Sequence, residues 1–289
     1  MAALAVELSL LERISAALEN RLTLGSVELP MLPQVAAEVM AMATDPETDA
    51  ARLSKLIHRD AALAGAVLKL ANSAAQATRM PIASLPQAVA RLGMATVSGI
   101  AVASSLQGGV FQVRGQEALL AAIWRHSLAS ASFAQEIARH LRNNVEAAYL
   151  CGLLHQVGRP LVLQLAVGAA GSEVGRLDER DFFELFARHE RAFGLMLGER
   201  WKLAPTVLCA IAHHHEPPLA PRFIKEVLTC ALAGALASHA LLPEDLDAEA
   251  SLDLLRCHPS LEALNLYPED LDALLVHQKT ICALVSAIH

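Results

Sequence analysis

An all-α fold is predicted by three features of the chain. Apolar residues recur at three- and four-residue spacing between capping and breaking residues along nearly all 289 positions, and no run of alternating β-branched residues suggests a strand. Hydrophobic residues make up 54% of the composition but aromatics only 4%. The core must therefore be filled by Ala, Leu, Val and Ile, the residues that let helices approach closely. The length suffices for one large helical domain or two smaller ones sharing a core.

Taken in order, the periodicity predicts an opening helix from Ala5 to Glu19, a loop from Gly25 to Pro33, and helices over Gln34–Ala43, Ala50–Arg59 and Ala61–Leu70. Asp60 is the expected N-cap of the last, and Asn72 its expected left-handed C-cap. Ser84-Leu85-Pro86-Gln87 reads as a capping box with Pro in the first turn; the helix it starts ends near Leu92-Gly93. Another helix spans Met94–Leu106, and the Gly-containing stretch from Gln107 to Gly115 is the best candidate boundary in the chain. Beyond it the pattern predicts a long helix over Gln116–Leu141 and shorter ones over Glu146–Gln156, Pro160–Val167, Asp181–Glu190, Phe193–Trp201 and Pro205–His214. A final helical group starts near Arg222.

Composition excludes several classes. Mean hydropathy is high at +0.38, yet the longest apolar stretch, Val227 to Leu242, is interrupted by Thr229, Ser238 and His239 and falls short of the roughly 20 residues a bilayer requires. Met1 to Leu11 lacks a basic flank and carries Glu7, so it does not read as a secretory signal. A cytoplasmic, membrane-free protein is expected. Cys151, Cys209, Cys230, Cys257 and Cys282 form no CxxC pair and read as reduced, buried small hydrophobes. The formal charge of -7 argues against DNA binding, which a basic surface drives. Much of the excess (Glu244, Asp245, Asp247, Glu249, Asp253, Glu269, Asp270, Asp272) lies in the C-terminal quarter, where it reads as solvated helix faces. P-loop, GxGxxG and GxSxG motifs are absent. Trp124 and Trp201 fit core positions better than base-stacking platforms.

The N-terminal half reads Leu29-Pro30-Met31-Leu32-Pro33, then Val35 through Met40, Asp60-Ala61-Ala62-Leu63, Leu68-Lys69-Leu70-Ala71-Asn72-Ser73-Ala74, and Ile82 to Leu92-Gly93. This order resembles the HDOD family, with its LPxLP, DPALA, LxLANSA and ISLxxAVxRLG elements, and the likeness spans roughly Leu29 to Glu216. One departure is Ala61, where the family often has Pro. The resemblance implies a helical N-terminal subdomain packed on a degenerate HD-like helical bundle; the chain is accordingly divided into an N-terminal helix (1–28), that subdomain (29–115), and the HD-like bundle with the acidic C-terminal helices (116–289). It also implies a regulatory role in bacterial signalling, often within a longer multidomain regulator.

In the active HD metallohydrolases and the HD-GYP group, a first His, a His-Asp pair, further His residues and a late Asp hold divalent metals. By resemblance His126 matches the first ligand and His155 the His of the pair, but the paired Asp is Gln156. His189, His214 and His215 resemble the additional ligands. The late Asp should fall within Leu228 to Ala233, which holds no carboxylate, and Glu216-Pro217-Pro218 replaces the GYP loop.

The residues themselves support two readings. Leu119, Ile123, His126, Ser130, Phe133, Ile137 and Leu141 share one apolar stripe, so the His126 ring needs a partner: Ser130 one turn on, or a metal. His155 lies one turn after Cys151 in an apolar helix and needs a bond as well. His213 to His215 also read as a helix C-terminus, where cationic rings suit the dipole. A core His is ordinarily bonded to a neighbour; a retained metal would be zinc, iron or nickel, which imidazole suits. Gln156 offers a neutral carbonyl where an anion is wanted, so hydrolysis is not expected and no cofactor is required. Arg159, where Lys often follows the HD-type glycine, reads as an anion contact or an ordinary surface Arg. The expected function is a non-enzymatic module binding a protein partner, a nucleotide or another small ligand. The alternative is a residual metal-dependent phosphohydrolase or phosphodiesterase using the histidines.

Overall fold

The computed structural model describes residues 9–43, 47–73, 82–107, 109–243 and 246–288. Among them there is no strand. The first group of helices is α1 (Leu10–Leu24), α2 (Gln34–Ala43), α3 (Ala50–Ile57), α4 (Ala61–Ser73), α5 (Leu85–Leu92) and α6 (Met94–Gln107). The second is α7 (Glu117–His140), α8 (Val145–Leu154), α9 (Gly158–Ala170), α10 (Glu179–Arg200), α11 (Pro205–His213) and α12 (Ile224–Ala240). Four helices close the chain: α13 (Ala248–Arg256), α14 (Pro259–Ala263), α15 (Pro268–Leu275) and α16 (Gln278–Ile288).

Helix α6 gathers the first group, packing against α2, α4 and α5 and also touching α7 and α8. In the second group α7 lies against α8 and α12, and α9 lies against α10. Two further elements cross between groups. Helix α1 packs on α9 and α10, so the N-terminal helix sits with the second bundle, and α16 returns to α4 and α7. One continuous cluster of buried apolar side chains runs through both groups. The stretch 145–176 is apolar and long enough by composition to cross a membrane, unlike the shorter run at 227–242, but 83% of its most apolar window is buried inside the fold. It comprises the core pair α8 and α9 and the short 3-10 turn, Gly171–Arg176, that follows them.

Local chemistry explains most of the helix ends. Ser9 and Glu12 form a full capping box at the start of α1, and Gly25 closes that helix with a left-handed φ of 62°. The helix therefore runs five residues past the expected end at Glu19; the expected start from Ala5 lies outside the described residues, as do Ala74, Glu244 and Asp245. Asp60 Oδ1 accepts from the Leu63 backbone at 3.1 Å, as its N-cap role requires. Asn72 is not a C-cap. It sits inside α4, and its amide exchanges two hydrogen bonds with the Ile82 backbone, of 2.7 and 2.9 Å, clipping the start of the next segment to the helix. Ser84 caps α5, but Gln87 reaches back to the Ala83 N–H instead of that of Ser84.

The two helices expected over 181–190 and 193–201 are one unbroken helix, α10. Arg191 and Ala192 are good helix formers and nothing at that point stops propagation. Trp124 and Trp201 are buried, and the Trp201 indole donates to the Pro30 carbonyl at 2.9 Å. Of the cysteines, Cys151, Cys209 and Cys230 are buried, whereas Cys257 is exposed and Cys282 half-buried.

Candidate functional site

Close helix packing puts the polar residues of the second bundle together. A Cβ at Gly158 would stand 2.0 Å from the Glu190 carbonyl oxygen, so only glycine lets the start of α9 meet the middle of α10 this closely. At Gly152 a Cβ would stand 2.7 Å from the Ala131 Cα and the Ser130 carbonyl oxygen, which brings α8 equally close to α7. The C-terminal end of α8 carries His155, followed by Gln156 and, in the first turn of α9, Arg159. With His126 on α7, His214 and His215 at the end of α11, and Cys230, Gly234 and Ser238 on α12, they line a pocket of about 820 Å³.

Behind the wall of this pocket is a carboxylate that the sequence reading did not single out. Glu190 is only 3% exposed. Its Oε2 accepts from Arg159 Nε and its Oε1 from His215 Nε2, and His214 Nε2 stands 3.6 Å away, beyond hydrogen-bond length. Burial pushes the Glu190 carboxyl up, but the hydrogen bond from the His215 ring and the Arg159 guanidinium outweigh it and hold the group well below the usual carboxylate range. The Arg159 guanidinium also lies over the Phe186 ring, 5.7 Å from its centre. Arg159 is thus neither an ordinary surface arginine nor a free anion contact: the anion it meets belongs to its own chain.

The five candidate histidines divide sharply. His126 Nδ1 accepts from Ser130 at 3.4 Å, while its Nε2 lies 3.2 Å from the Gly234 carbonyl and 3.1 Å from Ser238 Oγ. Both nitrogens are occupied, as the Ser130 reading expected. Burial, with the Arg159 charge second, lowers its pKa to about 4, so the ring is neutral. His155 Nδ1 donates to the Gly152 carbonyl at 2.9 Å and His214 Nδ1 to the Ala210 carbonyl at 3.1 Å. That tautomer leaves Nε2 of each ring a lone pair, the arrangement that backbone carbonyls impose on ligating imidazoles. Burial lowers the pKa of both, and their ring centres are 4.8 Å apart. His214 Nε2 and Gln156 Oε1 are buried with no hydrogen-bond partner. His215 is more than half exposed.

His189 is not part of this group. Its Nε2 meets Ser15 Oγ of α1 at 2.8 Å in a buried contact, because consecutive residues of a helix point about 100° apart and the pocket side of α10 belongs to Glu190. Ligand atoms of Glu190, His214 and His215 all fall within 4.8 Å of one another, a His/Glu cluster of the kind that can hold a metal. As arranged it does not fit one. Both carboxylate oxygens are engaged by N–H donors of the chain, His215 Nε2 is spent as a donor, and a permanent cation stands in contact with the only acid of the cluster. The sequence signal for Glu190 was its spacing. It lies four residues after Phe186 and eight after Phe182, both buried, so it falls on the apolar stripe of α10, where a carboxylate demands a partner.

Comparison with known proteins agrees with this architecture. A crystal structure of a provisionally named phosphohydrolase from Shewanella amazonensis SB2B aligns with a TM-score of 0.68 and 26% identity, covering 96% of this chain and all (100%) of that one. An HDOD domain protein with unknown function from Geobacter sulfurreducens shares the fold with a TM-score of 0.68 at 24% identity, covering 93% of this chain and 97% of that one. An uncharacterized protein of Treponema pallidum (strain Nichols) is 25% identical over 214 residues, which are 70% of this chain; the chain spans only 40% of that curated relative. The HDOD domain profile matches residues 29–217, more than half the sequence, and the chain therefore belongs to the HDOD domain family.

Proposed function

We propose that this chain is a cytoplasmic regulatory module of bacterial signal transduction that binds a protein partner or a small ligand without turning it over. HDOD membership gives it a regulatory or HD-like role; the absence of turnover rests on the buried Arg159–Glu190 pair. Metal-assisted hydrolysis needs a metal with an open position where water is made acidic. Here the carboxylate nearest the histidines is neutralised from within the chain, and Gln156 supplies no charge at the paired-Asp position. What the pocket offers instead is a volume of about 820 Å³, in the range that takes a small ligand, with Gln156, Arg159 and His214 among its lining residues.

The test is turnover of nucleotides and phosphodiesters in the presence of manganese, magnesium, iron or zinc, alongside calorimetry with the same nucleotides. Binding without product is the expected result. Metal-dependent product formation that disappears in His155→Ala would overturn the proposal. A residual phosphohydrolase is the second reading, favoured by the Nε2 lone pairs of His155 and His214 and by the provisional name of the Shewanella relative. Activity that appears only after Gln156→Asp would count against it for the native chain.

A further inference from the structure

We propose that α16 is a strap across the pocket and that it opens as a unit about the Val276–His277 turn, so that entry to the pocket and the covering of α4 are one event. The inference rests on the reading of the pocket as a ligand site and says how entry to it is governed. Helix α16 supplies Val285 and Ser286 to the pocket lining. Val285 is buried and Ser286, next to it, is exposed, so the helix reaches from the inner wall to the solvent edge. Cys230 of α12 lines the same pocket and is fully buried. Because α16 also packs on α4 and α7, its release bares a face of the first helical group at the moment it frees the pocket.

The helix is held on lightly. Ile281, Leu284 and Val285 are its buried aliphatic side chains, at the three- and four-residue spacing of a single apolar stripe. Among the described residues, its side-chain link to another helix is one thiol bond, from Cys282 Sγ to the Ala240 carbonyl at 3.2 Å. A helix of 11 residues is too short to persist alone, so losing that stripe melts it as a local unit while the rest of the fold stands. The hinge end is tied down separately. His140 Nε2 at the end of α7 stands 2.8 Å from Asp270 Oδ1 of α15, and His277 Nε2 in the turn stands 3.8 Å from Glu136 Oε2. The turn itself is two exposed residues between α15 and α16. Helix α15 thus stays on α7 when α16 leaves it.

The experiment uses the full chain carrying Cys257→Ser, which removes the exposed thiol. Alkylation by iodoacetamide, mapped by mass spectrometry, and amide hydrogen exchange are followed on the same samples. The α16 amides should exchange well ahead of those of α7, and Cys230 should be alkylated ahead of Cys151, which is buried in α8 and does not line the pocket. Adding Leu284→Ala should speed both α16 exchange and Cys230 alkylation by about 30-fold or more, the effect of deleting one buried leucine side chain. Cys151 alkylation and α7 exchange should stay at their original rates. If Leu284→Ala does not fold, Ile281→Val should give the same pattern at about 5-fold. Cys230 alkylation that keeps pace with Cys151 while α16 exchange rises overturns the proposal. So does Cys230 alkylation that is equally fast with and without Leu284→Ala, or an α16 that exchanges only together with α7. No ligand enters the measurement, so nucleotides that fail to bind in calorimetry would count against the reading of the pocket alone.

Discussion

Two sides of α10 show how differently neighbouring residues can be used. On one side His189 meets Ser15 and completes the packing of α1 against α10. On the other, one residue later, Glu190 holds Arg159 and His215 behind the pocket. The first contact is a satisfied pair that any helix interface might contain. The second concentrates charge where burial opposes it. The difference teaches that family register names a neighbourhood, whereas helix phase decides which of two adjacent residues faces the chemistry.

The largest expected effect comes from Arg159→Met, which strands the Glu190 charge in the interior. Urea unfolding should show a loss of about 3–5 kcal/mol, most of it restored by adding Glu190→Gln. A loss no greater than that of Ser15→Ala would erase the distinction between the two sides. Next is the response to acid. His126, His155 and His214 are held neutral in the fold, while in the unfolded chain they take up protons below about 6.5. Stability is complete above that pH and is lost as pH falls. For His126, titrating near 4, the loss approaches about 3 kcal/mol. Glu190, with its lowered pKa, adds a loss of the same sign at lower pH. Unfolding midpoints from pH 7 to 4.5 should fall in the native chain and fall less in His126→Gln.

Gly158→Ala forces α9 from α10 and should cost about 2 kcal/mol in the same assay; an unchanged midpoint would mean that the helices part freely. Ser15→Ala, the smallest, should cost about 1 kcal/mol and leave ligand binding in the pocket unaltered.

The fold was legible because helix periodicity and caps are local. Gln34–Ala43 follows directly from the pattern, and Asp60 caps as its residue type requires. The bond between Ser130 and His126 was legible for the same reason, being one turn long. Asn72 was misread because its partner, Ile82, lies ten positions away, and a side chain suited to a C-cap equally suits a clip across a loop. The Arg159–Glu190 pair spans 31 positions and depends on the Gly158 contact. Sequence alone marks Glu190 as a carboxylate on an apolar stripe, but not which cation answers it.

Because α10 is unbroken for 22 residues, it is a rod about 33 Å long, with Glu179 lining the pocket at its start and, just past its far end, Trp201 bonded to Pro30. An occupant that tilted the near end would pull on the Leu29–Pro33 segment through that bond. Occupancy would thus gain a lever arm toward the first group of helices, with the Trp201 indole as its coupling.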